Sequence, residues 1–104
     1  MKGNSVTEFI DDILTVGGPE KEFVFRNRFY FLETVYNEKD GEMELRIDEY
    51  DRSDPMNASL DKYIRTYIFA GRNYEECVLK FENARIFCGL SIYEAESEIE
   101  VLFG

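Results

Sequence analysis

The chain has no histidine and no tryptophan, only two prolines and two cysteines, and 12 Lys and Arg against 22 Asp and Glu. Without histidine, the side chain most used for proton transfer near neutral pH is missing, and with it every His-dependent nucleophilic triad or dyad. The glycines form neither GxGxxG nor GxxxxGK[ST], which excludes the two common phosphate cradles of nucleotide chemistry. No cofactor is expected. The formal net charge of -10 repels phosphate backbones, so nucleic acid is excluded as a partner.

No apolar run approaches the ~20 residues needed to cross a bilayer, and Asp11 and Asp12 interrupt the short run of Phe9 and Ile10 near the start. Neither a membrane partner nor an export signal is expected, which points to the cytoplasm. Cys77 and Cys88 are too widely spaced for a CxxC site, and one pair is no disulfide framework. Both are expected as reduced thiols, and the Asn57-Ala58-Ser59 sequon is then without consequence.

What is present is a foldable core. The 104 residues are 44% hydrophobic and 15% aromatic, with nine Phe and seven Tyr, enough to bury roughly 60 to 70% of the unfolded surface. Pro19 and Pro55 sit in stretches that read as connections, and no repeat or linker divides the chain, so residues 1–104 are expected as one domain.

Ser5-Val6-Thr7-Glu8 has the form of a capping box, and Val6, Phe9, Ile10 and Ile13 follow at helical spacing up to the stop at Gly17-Gly18-Pro19; a helix over 6–16 is expected. From Glu22 the period changes to that of strands: Phe23 to Phe25, Phe29 to Tyr36 and Glu42 to Tyr50, turned at Arg26-Asn27-Arg28 and at Asn37 to Gly41. Tyr63 to Phe69 alternates and reads as a fourth strand, with a helix from Ser59 as the competitor. Asn73-Tyr74-Glu75-Glu76 starts a helix in which Tyr74, Cys77, Val78 and Phe81 recur at i, i+3, i+4 and i+7, with Cys77 on the buried stripe. Ser91-Ile92-Tyr93-Glu94 starts another, on whose stripe Ile92, Ala95, Ile99, Leu102 and Phe103 fall. The fold class expected is α+β: a four-stranded antiparallel meander packed on one face by three helices in the order α-β-β-β-β-α-α, a two-layer sandwich.

Few residues advertise chemistry. Cys77 lies on a buried stripe and Cys88 has no activating neighbour in sequence, so no catalytic thiol is expected. Asp48, Asp51 and Asp54 are hard oxygen ligands at a spacing of three, but no EF-hand pattern accompanies them and no metal is expected. Glu94, Glu96, Glu98 and Glu100 form an uncompensated acidic run, read either as a solvated face or as a surface for a basic partner. Arg26 and Arg28 at a hairpin tip read as solvating arginines over a Phe-rich core.

The sheet face away from the helices is the candidate binding surface. With Phe29, Phe31, Val35, Met43, Leu45, Ile47, Ile64 and Ile68 facing the helices, alternation puts Tyr30, Tyr36, Arg46, Tyr63, Arg65 and Tyr67 on the other side. Tyr and Arg are enriched at protein interfaces, although Tyr-Arg and Glu-Arg cross-strand pairs also stabilise an exposed face alone. The function expected is a non-enzymatic interaction module for another protein or for itself as a dimer, a description that inhibitor, immunity and antitoxin-like proteins fit. The alternative is a small His-free enzyme or ligand-binding domain using carboxylates, Tyr and Arg in a cleft between sheet and helices.

Overall fold

A computed structural model of the chain describes residues 5–16, 20–52 and 62–103. Helix α1 (Val6–Val16) is followed by strands β1 (Lys21–Phe25), β2 (Arg28–Asn37), β3 (Glu42–Asp51) and β4 (Lys62–Gly71), then by α2 (Tyr74–Asn83), the single-turn α3 (Ile92–Ala95), a 3-10 turn (Glu96–Glu98) and β5 (Ile99–Phe103). All pairings are antiparallel, in the order β4-β3-β2-β1-β5. The α+β class and the one-sided antiparallel sheet agree with expectation, but the sheet has five strands instead of four.

The caps read from sequence are formed. Ser5 Oγ accepts from Glu8 N at 3.1 Å, and Asn73 Oδ1 accepts from Glu76 N at 2.9 Å. At Ser91 and Glu94 both halves of the box are present, with Glu94 N donating to Ser91 Oγ and Ser91 N donating to Glu94 Oε1. Each satisfies a backbone N–H that a helix start leaves without an intrahelical partner. The stop at Gly17-Gly18-Pro19 and the loop around Pro55 lie outside the described residues.

One face of the sheet carries the core. Phe23 and Phe25 of β1, Tyr30 and Leu32 of β2, and Leu45 and Ile47 of β3 pack with Phe9 and Ile13 of α1, Val78 and Phe81 of α2, and Phe87, Ile92, Ala95 and Ile99 beyond. Phe9 meets Phe23 edge to face at 5.4 Å, and Phe69 of β4 meets Phe81 at 5.9 Å. Lys21 is buried on the same face, where its Nζ donates to Asp12 Oδ2 of α1 at 2.8 Å. At Gly71 the end of β4 abuts α2 so closely that an added Cβ would lie 2.6 Å from Glu76 Cβ.

Two expectations are corrected. The first concerns the phase of β2. Read as a three-residue turn, Arg26-Asn27-Arg28 pairs Phe25 with Phe29 and sends Phe29, Phe31 and Val35 inward. The turn has two residues: Phe25 pairs with Arg28, Val24 with Phe29 and Phe23 with Tyr30. With Phe23 and Phe25 inside, Tyr30 and Leu32 must face inward too, because a slip of one residue moves every side chain to the other face. Within the turn Arg26 takes a positive φ (φ 54). On β4, the irregularity opposite Glu49 and Tyr50 puts Tyr63 on the face opposite Arg65, and Ile68, expected inside, is exposed.

The second concerns the chain's last segment, expected as one helix. The helix stops at Ala95, and Ile99–Phe103 adds a fifth strand to the free edge of β1, with Phe25 opposite Ile99 and Phe23 opposite Val101. Continuing the helix would stack Glu94 over Glu98 and Glu96 over Glu100 without counter-cations, near an end that prefers positive charge. As a strand, the segment covers backbone groups of β1 that would otherwise form an unpaired edge.

The strand assignment separates Ile99, which is buried, from Leu102, which is half exposed. In urea denaturation Ile99→Ala is expected to lose about 2–5 kcal/mol and Leu102→Ala no more than about 0.5 kcal/mol. Equal losses would support the helical stripe instead.

Candidate functional site

The six residues expected on one open face are divided by the structure. Arg46 and Tyr63 are there. Tyr30, opposite Phe23 and Glu49, is fully buried on the helix side; Tyr67 stands opposite Ile47 and Arg65 opposite Glu49 on that same side. Tyr36, opposite Met43, is exposed at the end of that face.

The open face has a different composition. Val24, Phe29, Tyr50 and Tyr63 follow one another across four strands. The Phe29 and Tyr50 rings lie 5.8 Å apart, and those of Tyr50 and Tyr63 5.9 Å. Tyr63 is 59% exposed and Ile68 54%, values that leave both free for contact. The Tyr63 hydroxyl is 2.8 Å from Thr66 Oγ1, which donates in turn to Asp48. Burial, helped by the Asp48 carboxylate, pushes the Tyr50 phenol up, so that ring stays neutral. Around this row stand Glu22, Glu33, Glu44, Asp48 and Glu100, whereas the strands supply one cation to the face, Arg46, which is tied to Glu44 at 3.0 Å. Arg52 reaches the Phe29 ring from the end of β3, at 5.7 Å.

The acidic run at 94–100 does not form a second such surface. Glu94 caps α3, Glu96 Oε1 accepts from Val6 N at the start of α1 at 3.4 Å, and Glu98 accepts two hydrogen bonds from Arg26, at 3.2 and 3.0 Å. The Arg26 guanidinium holds the Glu98 carboxyl below its usual range. Only Glu100 belongs to the open face.

The other side holds a cleft lined by a carboxylate, a Tyr and arginines, the combination the alternative reading named without assigning residues to it. Arg28, Glu49, Arg65, Tyr67, Arg85, Ile86, Cys88 and Gly89 line a space of about 270 Å³. Glu49 is buried at its floor. Its Oε2 accepts from Arg28 Nε at 3.1 Å and its Oε1 from the Tyr67 hydroxyl at 2.8 Å, with Arg65 Nε 3.6 Å away. Burial first, then the bond to Glu49, raises the Tyr67 phenol and keeps it a donor. The opposite wall is a tight turn in which Phe87 and Leu90 exchange backbone hydrogen bonds at 3.1 and 3.0 Å. Its central residues, Cys88 (φ 53) and Gly89 (φ 82), are both left-handed, as a type I′ turn demands. From this wall Arg85 Nη1 bonds Glu94 Oε1 at 2.8 Å and Gly89 O at 3.3 Å. Arg28, Arg65 and Arg85 are far apart in sequence; the dipeptide Cys88-Gly89 beside a lone Phe was the only local sign of the turn that brings them together.

Both thiols are free: Cys77 is buried, with its pKa raised by burial, and Cys88 is exposed. Asp54 lies outside the described residues, while Asp48 is bonded to Thr66 and Asp51 to Arg28. Among the described residues no helix is long and apolar enough to cross a membrane. No protein-family model, curated protein or solved structure matches this chain.

The Ser91 backbone N–H, aided by Arg85, holds the Glu94 carboxyl below its ordinary value of 4.5. A carboxyl lowered in the folded state stabilises it above its unfolded pKa, and that contribution is lost as pH falls through the folded one. The melting temperature of the native chain is therefore expected to exceed that of Glu94→Gln at pH 7, with the gap closing below about pH 4. A gap of constant size across that range would remove the ionised carboxylate from the account.

Proposed function

We propose that the chain is a non-enzymatic interaction module that docks a basic surface of another protein on the open face of its sheet. The observation that carries this reading is the row of Phe29, Tyr50 and Tyr63 framed by Glu22, Glu33, Asp48, Glu44 and Glu100. Aromatic rings with few rotatable bonds bury much area at low entropic cost, and they dominate interface hot spots. The rings here are already ordered by one another and by the chain of bonds from Tyr63 through Thr66 to Asp48. The carboxylate frame supplies the sign of the partner, since complementary charge speeds encounter and like charge rejects wrong partners.

The same frame weighs against a symmetric dimer through this face, which would bring acid against acid. The module is read as a monomer that covers a basic site on its partner, in the manner of an inhibitor, immunity or antitoxin-like protein. A reducing, cytoplasmic setting suits the exposed Cys88 thiol.

The test is photo-crosslinking in cells from a benzoyl-phenylalanine introduced at position 63, with position 8 on α1 as the control site. The expected product is a single partner captured from position 63 through a Lys- or Arg-rich peptide, with the yield reduced about tenfold by the double change Glu33→Lys and Asp48→Lys. Equal capture from both positions, or capture through an acidic peptide, would reject the reading.

A further inference from the structure

The open-face reading leaves the cleft over Glu49 without a role, and its chemistry differs from the rest of the surface. On a chain of net charge -10, it gathers Arg28 from β2, Arg65 from β4 and Arg85 from the segment after α2 around one carboxylate, Glu49. Asp51 and Glu94 bond Arg28 and Arg85 but are not among the lining residues, so they fix the two guanidinium groups without filling the cleft.

Arg65 is the most loosely paired of the three arginines: its ion pair with Glu49 is 3.6 Å long, and its side chain is 60% exposed.

We propose that this cleft binds the phosphoryl group of a small organic phosphate, with Arg65 and Arg85 as its main charge partners and Arg28 beside them. Three guanidinium groups arriving from three elements suit an anion with three peripheral oxygens; a carboxylate offers two, in one plane. The ligand is a small molecule because the space is about 270 Å³, near the lower end of the roughly 300–1,000 Å³ typical of such sites. The acidic surface around it also repels polyanions and anionic membranes.

Isothermal titration calorimetry of the full chain with methyl phosphate, and with acetate at matched ionic strength, tests the assignment. Saturable binding of one methyl phosphate is expected, weakened about tenfold by Arg65→Gln. Because Arg65 is 60% exposed, Arg65→Gln is also expected to melt as the native chain does when ligand is absent, so its loss of affinity cannot come from a damaged fold. The proposal is overturned by the absence of saturable binding up to about 10 mM, by equal affinity for acetate, or by binding that Arg65→Gln leaves unchanged.

Discussion

Phe87 meets four other rings in the core: Tyr30 at 5.1 Å, Phe25 at 5.7 Å, Phe23 at 6.1 Å and Phe81 at 6.4 Å. These come from β1, β2 and α2, so one side chain from an otherwise irregular segment joins the sheet to its helical cover. Offset and edge-to-face packing of such rings adds about 0.5–1.5 kcal/mol per pair beyond the area buried. The chain can leave Phe87 and return at Leu90 because Cys88 and Gly89 both take left-handed backbone conformations. Everything after it depends on that anchoring. Ser91 starts α3, Ile92 and Ala95 enter the core, and Ile99 brings β5 to the free edge of β1. The same anchor positions Arg85 and Cys88 at the cleft.

The division of the sheet into a covered and an open face organises the charges as well. Among the described residues, the two buried ionic groups on the covered side are matched: Lys21 by Asp12, and Glu49 by Arg28 and the Tyr67 hydroxyl. Breaking one partner from such a pair costs far more than the pair contributes, so these contacts specify the arrangement of α1 on β1 and of β2 on β3 more than they stabilise it. Three members of the 94–100 acidic run are used in the same way, against a helix start, a cap and an arginine in a left-handed turn. The carboxylates of the open face have fewer such ties, and the negative charge that remains there is what the proposed docking of a basic surface rests on.

What the sequence made legible was local. Helix starts at Ser5, Asn73 and Ser91 depend on four consecutive residues, and all three are formed. The fourth strand was legible because Tyr63 to Phe69 alternates over a full strand length. The phase of β2 was not, because it turns on whether Arg26-Asn27-Arg28 contributes two residues or three to the turn, and both sets of alternate residues, Phe29/Phe31/Val35 and Tyr30/Leu32, are apolar enough to be core. That single residue moved Tyr30 from the expected open face to the buried core on the covered side. β5 was not legible because Ile99, Leu102 and Phe103 fit a helical stripe as well as a strand, and the deciding fact is the distant free edge of β1. The cleft required knowing that β2, β4 and the turn after α2 converge.

The proposed partner surface and the proposed anion site both rest on the phase of β2: Phe29 and Tyr63 outward, Tyr30 and Phe87 inward. Broadening of assigned aromatic NMR signals by a soluble, uncharged paramagnetic agent reads that directly. Strong broadening of Tyr63 and Phe29 with Tyr30 and Phe87 protected is the predicted result. Protection of Phe29 together with broadening of Tyr30 would contradict it, because the sheet would then present the opposite set of side chains to solvent.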